Sequence, residues 1–151
     1  MEKVIFIGKS GSGKTTLCQK LHEMEMKYKK TQSVEFYQSA IDTPGEYLEN
    51  RNYYRGLIMS AIDAKIIAFI GDPTAKENYL PPAFATTFSK EVIGIVTKIA
   101  VVVKEEAVRQ TEEVLRAAGA GKIFRVDTIE GIGIDELFKY LKKQLDREAD
   151  L

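Results

Sequence analysis

The sequence predicts a three-layer α/β fold, in which a mostly parallel sheet of about six strands lies between helices on both faces. Short apolar runs rich in β-branched residues alternate with segments whose apolar residues recur at helical spacing, which is the pattern of a parallel sheet covered by helices. The first apolar run, residues 4–7, leads into a glycine-rich loop and then into a helix-forming segment. No internal repeat or low-complexity linker divides the chain, so we expect a single domain over residues 1–151.

Strands are predicted where apolar runs are bounded by turn residues. In chain order they span residues 4–7, 34–37, 40–41, 65–71, 92–97 and 122–126. In the predicted strand at 65–71, residues 66–71 are continuously apolar, as expected of a central strand buried on both faces. The short strand at 40–41 is closed by the turn sequence Asp42-Thr43-Pro44-Gly45.

Helices are predicted between these strands and after the last one, from apolar residues at helical spacing. They span residues 13–26, 51–62, 105–118 and 134–145. Residues 75–90 are expected to be irregular, because Pro81 and Pro82 prevent a long helix there. The polar tail at 146–150 is expected to fray beyond the last helix.

Composition excludes several classes of function. Lys and Arg total 22 and Asp and Glu total 22, so the formal net charge is zero, and nothing indicates the basic face that nucleic-acid binding needs. The only cysteine is Cys18 and the only histidine is His22, which excludes an internal disulfide, a cysteine-based zinc site and a multi-histidine metal site. No apolar run approaches the roughly 20 residues of a membrane span. We therefore expect a cytoplasmic protein with no nucleic-acid or membrane partner.

A phosphate-binding loop is predicted between the first strand and the first helix. The segment Gly8-Lys9-Ser10-Gly11-Ser12-Gly13-Lys14-Thr15 matches G-x-x-x-x-G-K-[ST] in the strand–loop–helix context that the motif requires. Its glycines allow the backbone amides to approach a phosphate, and the helix start adds positive potential. Lys14 is expected to bridge the β- and γ-phosphates. The predicted nucleotide-binding residues here are the eight of the motif and Thr16.

A magnesium ion is the expected cofactor beside the phosphates. The Thr15 hydroxyl is the first predicted ligand, because Mg²⁺ prefers oxygen. Asp42 and Gly45 fit D-x-x-G, in which the Asp holds the metal and the glycine amide contacts the γ-phosphate. Thr31 is a third candidate ligand, of the kind found in segments that a nucleotide orders. Two alternatives stay open: Asp42 begins an ordinary turn, and Thr31 is a surface-loop residue.

At these residues the chain resembles a Ras-like P-loop GTPase domain and, more narrowly, the ethanolamine- and propanediol-utilisation family called EutP/PduV. The strings that carry the resemblance, besides the phosphate loop, are T-Q-S-V-E-F at 31–36, I-D-T-P-G-E-Y at 41–47, I-V-T-K at 95–98 and G-I-G-I-D-E-L at 131–137. The resemblance implies a P-loop NTPase fold and a nucleotide-binding protein of operons that build bacterial microcompartments. It also implies weak GTP hydrolysis or an ATP-linked acetate kinase reaction, with a microcompartment or pathway protein as partner.

The chain departs from this pattern where the base would be read. GTPases carry [NT]-K-x-D after this strand, whereas here the residues are Thr97-Lys98-Ile99-Ala100, so the carboxylate that accepts from guanine is absent. Thr97 and Lys98 remain predicted nucleotide-binding residues, Lys98 laying its stem along the base and bracing the phosphate loop. An exposed strand-end lysine is the alternative for Lys98. Asp127, after the last strand, is a further candidate for contact with a base edge.

The prediction is a Mg²⁺-dependent protein that binds a purine nucleoside triphosphate, ATP or GTP, with weak guanine selectivity and slow hydrolysis. Lys14, Thr31 and Gly45 are the predicted catalytic residues. Hydrolysis is expected to be slow because Glu46 stands where Ras-like proteins often carry a water-orienting Gln. Two alternatives remain: an ATP-dependent acetate kinase-like phosphotransferase, and a nucleotide-binding scaffold for microcompartment assembly.

Overall fold

The computed structural model describes residues 2–28, 34–40, 51–102 and 104–149. In these residues the strands are β1 (Glu2–Gly8), β2 (Val34–Ala40), β3 (Ile66–Gly71), β4 (Glu91–Val96) and β5 (Lys122–Arg125). The α-helices are α1 (Lys14–Tyr28), α2 (Arg51–Ile62), α3 (Glu105–Ala117) and α4 (Ile134–Ala149). Two short 3-10 segments, Phe84–Thr87 and Ile99–Val101, lie on either side of β4. The predicted order of helices and strands is confirmed, apart from the differences given below.

The sheet has the strand order β2-β1-β3-β4-β5, and every pair is parallel. The described residues form five strands, whereas about six were predicted. The difference lies in β2, which was predicted as two strands at 34–37 and 40–41 but is continuous to Ala40, with Ile41 outside the described residues. The reason is that β1 pairs with β2 along its whole length, from Glu2↔Val34 to Gly8↔Ala40, and main-chain pairing does not depend on the polar side chains between.

Helices cover both faces of the sheet, as predicted for three layers. Alternate residues of the central strands point to opposite faces, so that Phe6 packs with α1 and α4 while Ile5 and Ile7 pack with α2 and α3. These strands are therefore apolar at consecutive positions, as the sequence indicated. In the described residues, no helix is both long enough and apolar enough to cross a membrane.

The last helix, α4, packs through the predicted apolar stripe against α1 and the sheet. Ile134, Leu137, Phe138, Leu141 and Leu145 are all buried. The helix continues to Ala149, which corrects the prediction of an end near Leu145, because residues 146–149 contain no glycine or proline that would stop it. Lys142 also forms a nearly buried ion pair with Glu25 of α1, with Nζ 3.0 Å from Oε2.

Candidate functional site

The parallel strands bring their carboxyl ends to one edge of the sheet, and the candidate site lies there. Gly8 ends β1 and Lys14 begins α1, so residues 9–13 form the connecting loop. Gly11 and Gly13 have positive φ angles of 79° and 100°, which side chains disfavour. A Cβ on Gly8 would lie 2.7 Å from the Ile70 carbonyl oxygen, so only glycine fits between β1 and β3.

The Lys14 side chain is directed into this loop. Its Nζ donates to the carbonyl oxygens of Gly8 at 2.9 Å and Lys9 at 2.7 Å, and the residue is buried. The ammonium is therefore enclosed by the loop, beside the amides at the start of α1. An anion seated on the loop would meet both the charge and the helix N-terminus.

An open cleft of about 560 Å³ lies over the loop. It is lined by Ser10, Gly11, Gly13, Lys14, Thr15, Thr16, Gln38 and Lys98. The structure thus brings seven of the predicted site residues to one cavity. It places Ser12 in the interior and directs the Lys9 ammonium away, to the Glu77 carbonyl oxygen at 3.3 Å.

Thr97 reaches the site through the phosphate loop and does not line the cleft. Its buried hydroxyl donates to the Ser12 carbonyl oxygen at 2.7 Å, and its Oγ1 also lies 3.3 Å from the Gly71 carbonyl oxygen. Its amide donates to the same Gly71 oxygen at 2.9 Å. Thr97 therefore connects the phosphate loop to the end of β3.

Lys98 contacts the phosphate loop through its side chain. It adopts a left-handed backbone conformation with φ of 55°, which is uncommon for residues other than glycine. Its Nζ donates to the Gly11 carbonyl oxygen at 2.7 Å and to Asp72 Oδ2 at 2.8 Å. The predicted contact with the phosphate loop is present, while contact with a base stays a prediction.

Asp72 is a site residue that the sequence interpretation missed. It follows β3, is 4% exposed, and pairs with Lys98. Its other carboxylate oxygen accepts from the Thr74 amide at 2.8 Å and the Thr74 hydroxyl at 2.6 Å. The available signal was an aspartate directly after a buried strand, at the edge where ligands bind, but it read equally well as a turn residue.

Asp127 joins the loops that follow β4 and β5 by accepting hydrogen bonds from backbone amides. Oδ2 accepts from the Ala100 amide at 3.0 Å, and Oδ1 accepts from the amides of Ile129 at 3.0 Å and Glu130 at 2.9 Å. The residue is 2% exposed. These bonds tie the segment after β4 to the segment after β5, and they direct the carboxylate into the protein.

The predicted metal ligands divide between described and undescribed residues. The predicted ligands Thr31 and Asp42 lie outside the described residues, as does Gly45, the predicted contact of the γ-phosphate. Thr15 lines the cleft, and its hydroxyl donates to Gln38 Oε1 at 2.9 Å. Within the described residues no cluster of three or more His, Cys, Asp or Glu side chains is placed to hold a metal. The Thr15 hydroxyl oxygen suits Mg²⁺, which binds few protein ligands together with phosphates and water.

Cys18 lies in the core one turn beyond Lys14 on α1. Burial raises the pKa of its thiol from 9.0 to about 12, although the nearby Lys14 charge acts in the opposite direction. The thiol is thus protonated at neutral pH, and it packs with the apolar layer between α1, α4 and the sheet.

Known proteins resemble this chain in sequence and in structure. The chain is 39% identical over 141 residues to propanediol utilization protein PduV from Citrobacter freundii. These 141 residues cover 93% of this chain and 93% of that protein. It is 28% identical over 151 residues to "Probable acetate kinase EutP" from Escherichia coli strain K12, covering 98% of this chain and 94% of that protein. The FeoB G-domain from Methanococcus jannaschii has the same fold, with a TM-score of 0.62, 16% identity, and coverage of 97% of this chain and 99% of that one.

The P-loop GTPase fold and the PduV and EutP relatives support nucleotide binding. The family model described as ethanolamine utilisation – propanediol utilisation, PduV-EutP, matches residues 1–143. This match spans every predicted site residue. The chain belongs to the PduV-EutP family.

Proposed function

We propose that the chain is a Mg²⁺-dependent protein that binds a purine nucleoside triphosphate, hydrolyses it slowly and discriminates weakly between guanine and adenine. The observation that carries the proposal is the phosphate loop with the enclosed Lys14 ammonium, whose Nζ lies 2.9 Å from the Gly8 oxygen and 2.7 Å from the Lys9 oxygen. On phosphate binding, Lys14 would exchange these carbonyl oxygens for phosphate oxygens, which carry full negative charge. The two contacts that Thr97 and Lys98 make to the loop would keep its shape during that exchange.

Weak guanine selectivity follows from two side chains. Ala100 offers no acceptor for the guanine N1–H and 2-amino groups, and Asp127 uses its oxygens on backbone amides. An unmatched polar group costs about 1–3 kcal/mol when it is buried, which corresponds to roughly ten- to more than a hundredfold in affinity. We therefore expect ATP and GTP to bind with affinities that differ by less than about tenfold.

Slow hydrolysis follows from the residues proposed to act on the γ-phosphate. Lys14 would supply positive charge to the transition state. Thr31 would contribute by holding the metal, and Gly45 would contribute through its backbone amide. Glu46 replaces the water-orienting Gln, and no motif places an arginine at the phosphates. We expect turnover well below the roughly 1–100 s⁻¹ of kinases.

Isothermal titration with ATP, ADP, GTP and GDP in Mg²⁺ tests the binding proposal. Lys14→Ala should abolish binding, because the loop loses its phosphate-binding charge. Lys90→Ala is the matched control, since Lys90 is an exposed lysine that precedes β4 at the opposite edge of the sheet. Tight binding by Lys14→Ala, or a hundredfold preference for GTP over ATP, would contradict the proposal.

A turnover assay separates the proposed NTPase from the two alternatives. Release of phosphate from ATP or GTP without an acceptor supports hydrolysis. Formation of acetyl phosphate from ATP and acetate would instead support the phosphotransferase, the activity named for the EutP relatives. Tight nucleotide binding with neither product would favour the scaffold module, for which a pathway or microcompartment protein would be the partner.

A further inference from the structure

Gln38 interrupts an otherwise apolar face of β2. It pairs in register with Phe6 of β1, and paired residues of parallel strands point to the same side of the sheet. Two residues earlier on that face, the Phe36 ring stacks on the Phe6 ring with 5.8 Å between centroids. Gln38 therefore occupies the layer of α1, at the carboxyl end of the sheet where α1 begins.

The Gln38 amide meets the Thr15 hydroxyl at the rim of the cleft. Oε1 of Gln38 accepts a hydrogen bond from the Thr15 hydroxyl, with 2.9 Å between the two oxygens. Both side chains line the cavity that Lys14 also lines. A hydroxyl has one proton to donate and two lone pairs. Because the proton is directed to Gln38, the lone pairs of Thr15 point away from β2.

We propose that Gln38 is a positioning residue for a divalent cation, holding the Thr15 hydroxyl with its lone pairs available to an ion on the nucleotide phosphates. The inference rests on the proposed function. A hydroxyl binds a cation through a lone pair, so its proton needs an acceptor elsewhere, as outer hydrogen bonds orient metal ligands generally. The neutral amide supplies this acceptor without adding negative charge beside the phosphates.

The metal dependence of nucleotide affinity tests this role, because a merely structural residue would not change it. A fluorescent ATP analogue is titrated against the full chain in saturating Mg²⁺ and in EDTA. Gln38→Leu should weaken binding about two- to tenfold in Mg²⁺, the range of one hydrogen bond, and leave affinity in EDTA unchanged. Gln38→Glu keeps the acceptor and adds charge, so it should preserve affinity in Mg²⁺ and lower it in EDTA.

Two further variants sharpen the result. Thr15→Val removes the hydroxyl, so adding Gln38→Leu to it should cause no further loss of Mg²⁺-dependent affinity. Tyr37→Phe is the matched control, because Tyr37 is the neighbouring exposed residue on the opposite face of β2, beside Lys3. It should bind as the wild type does under both conditions.

Each remaining outcome counts against the inference. An equal loss in Mg²⁺ and in EDTA would make Gln38 a nucleotide contact, and an unchanged affinity would remove its role altogether. If the wild type binds nucleotide and a Gln38 variant gives either of these results, this inference is wrong and the proposed function stands. Absence of nucleotide binding by the wild type overturns both.

Discussion

Asp72, which lies outside the predicted nucleotide-binding motifs, is expected to stabilise the phosphate loop through its ion pair with Lys98. In Asp72→Asn, the amide oxygen can keep the two bonds from Thr74, but an NH₂ group would face the Lys98 ammonium in place of an oxygen. The perturbation is therefore confined to one charged contact of 2.8 Å. The variant tests the pair with little change in volume.

The magnitude follows from how exposed each partner is. A hydrogen bond to a charged group contributes about 1.5–3 kcal/mol when buried, and an exposed ion pair about 0.2–1 kcal/mol. The Asp72 side chain is 6% exposed and the Lys98 side chain is 37% exposed, so this pair lies between the two cases. We expect Asp72→Asn to lower the free energy of unfolding by about 1–2 kcal/mol and to weaken ATP binding several-fold.

Urea unfolding followed by circular dichroism measures the effect, with Asp63→Asn as control because Asp63 is exposed after α2. A double-mutant cycle with Lys98→Met isolates the pair from the Thr74 bonds. The reasoning would be refuted by a coupling energy below about 0.3 kcal/mol, or by an unfolding free energy that Asp72→Asn leaves unchanged.

Three further predictions concern residues around the site and the core. Thr97→Val removes a buried hydroxyl bonded to a phosphate-loop carbonyl, so it should cost about 1–2 kcal/mol in urea unfolding and weaken ATP binding; a cost below about 0.5 kcal/mol would contradict this account. Lys142→Met leaves the nearly buried Glu25 carboxylate without its counter-charge and should cost about 2–4 kcal/mol, whereas the exposed Lys143→Met should change little; equal stabilities would argue against the ion pair. Because burial raises the pKa of the Cys18 thiol to about 12, the folded chain keeps a proton that the unfolded chain loses above pH 9, so the free energy of unfolding falls as pH rises from 9 towards 12. Cys18→Ala should make that decline shallower when unfolding is measured at pH 8 and pH 10, and parallel curves for the two proteins would contradict the assigned pKa.

The part of the site that could be predicted from sequence is the part made by neighbouring residues. The phosphate loop is recognisable because its glycines and Lys14 act together over eight positions, 8–15, and the same spacing predicts the strand and helix on either side. The stripe on α4 is likewise local, since helical spacing alone places its residues on one face.

The contacts that escaped prediction join residues that are distant in sequence. Thr15 meets Gln38 across a separation of 23 residues, and Asp72 meets Lys98 across 26. No periodicity links such positions, and Gln38 and Asp72 alone each read as an ordinary polar side chain near the end of a strand. The length of β2 was not predicted for a related reason. Its polar residues at 38 and 39 interrupt the apolar pattern, whereas the main chain continues to pair with β1.

The loops at the carboxyl edge are joined by side chains that bond to main-chain atoms: Thr97 to the Ser12 oxygen, Lys98 to the Gly11 oxygen, and Asp127 to the Ala100 amide. These main-chain groups persist when the side chains at positions 12 and 100 change, except that proline at position 100 would remove the amide hydrogen. Under the proposed function, a substitution at position 100 would therefore change base preference while these loops stay joined. The anchoring side chains at 97, 98 and 127 have no such freedom.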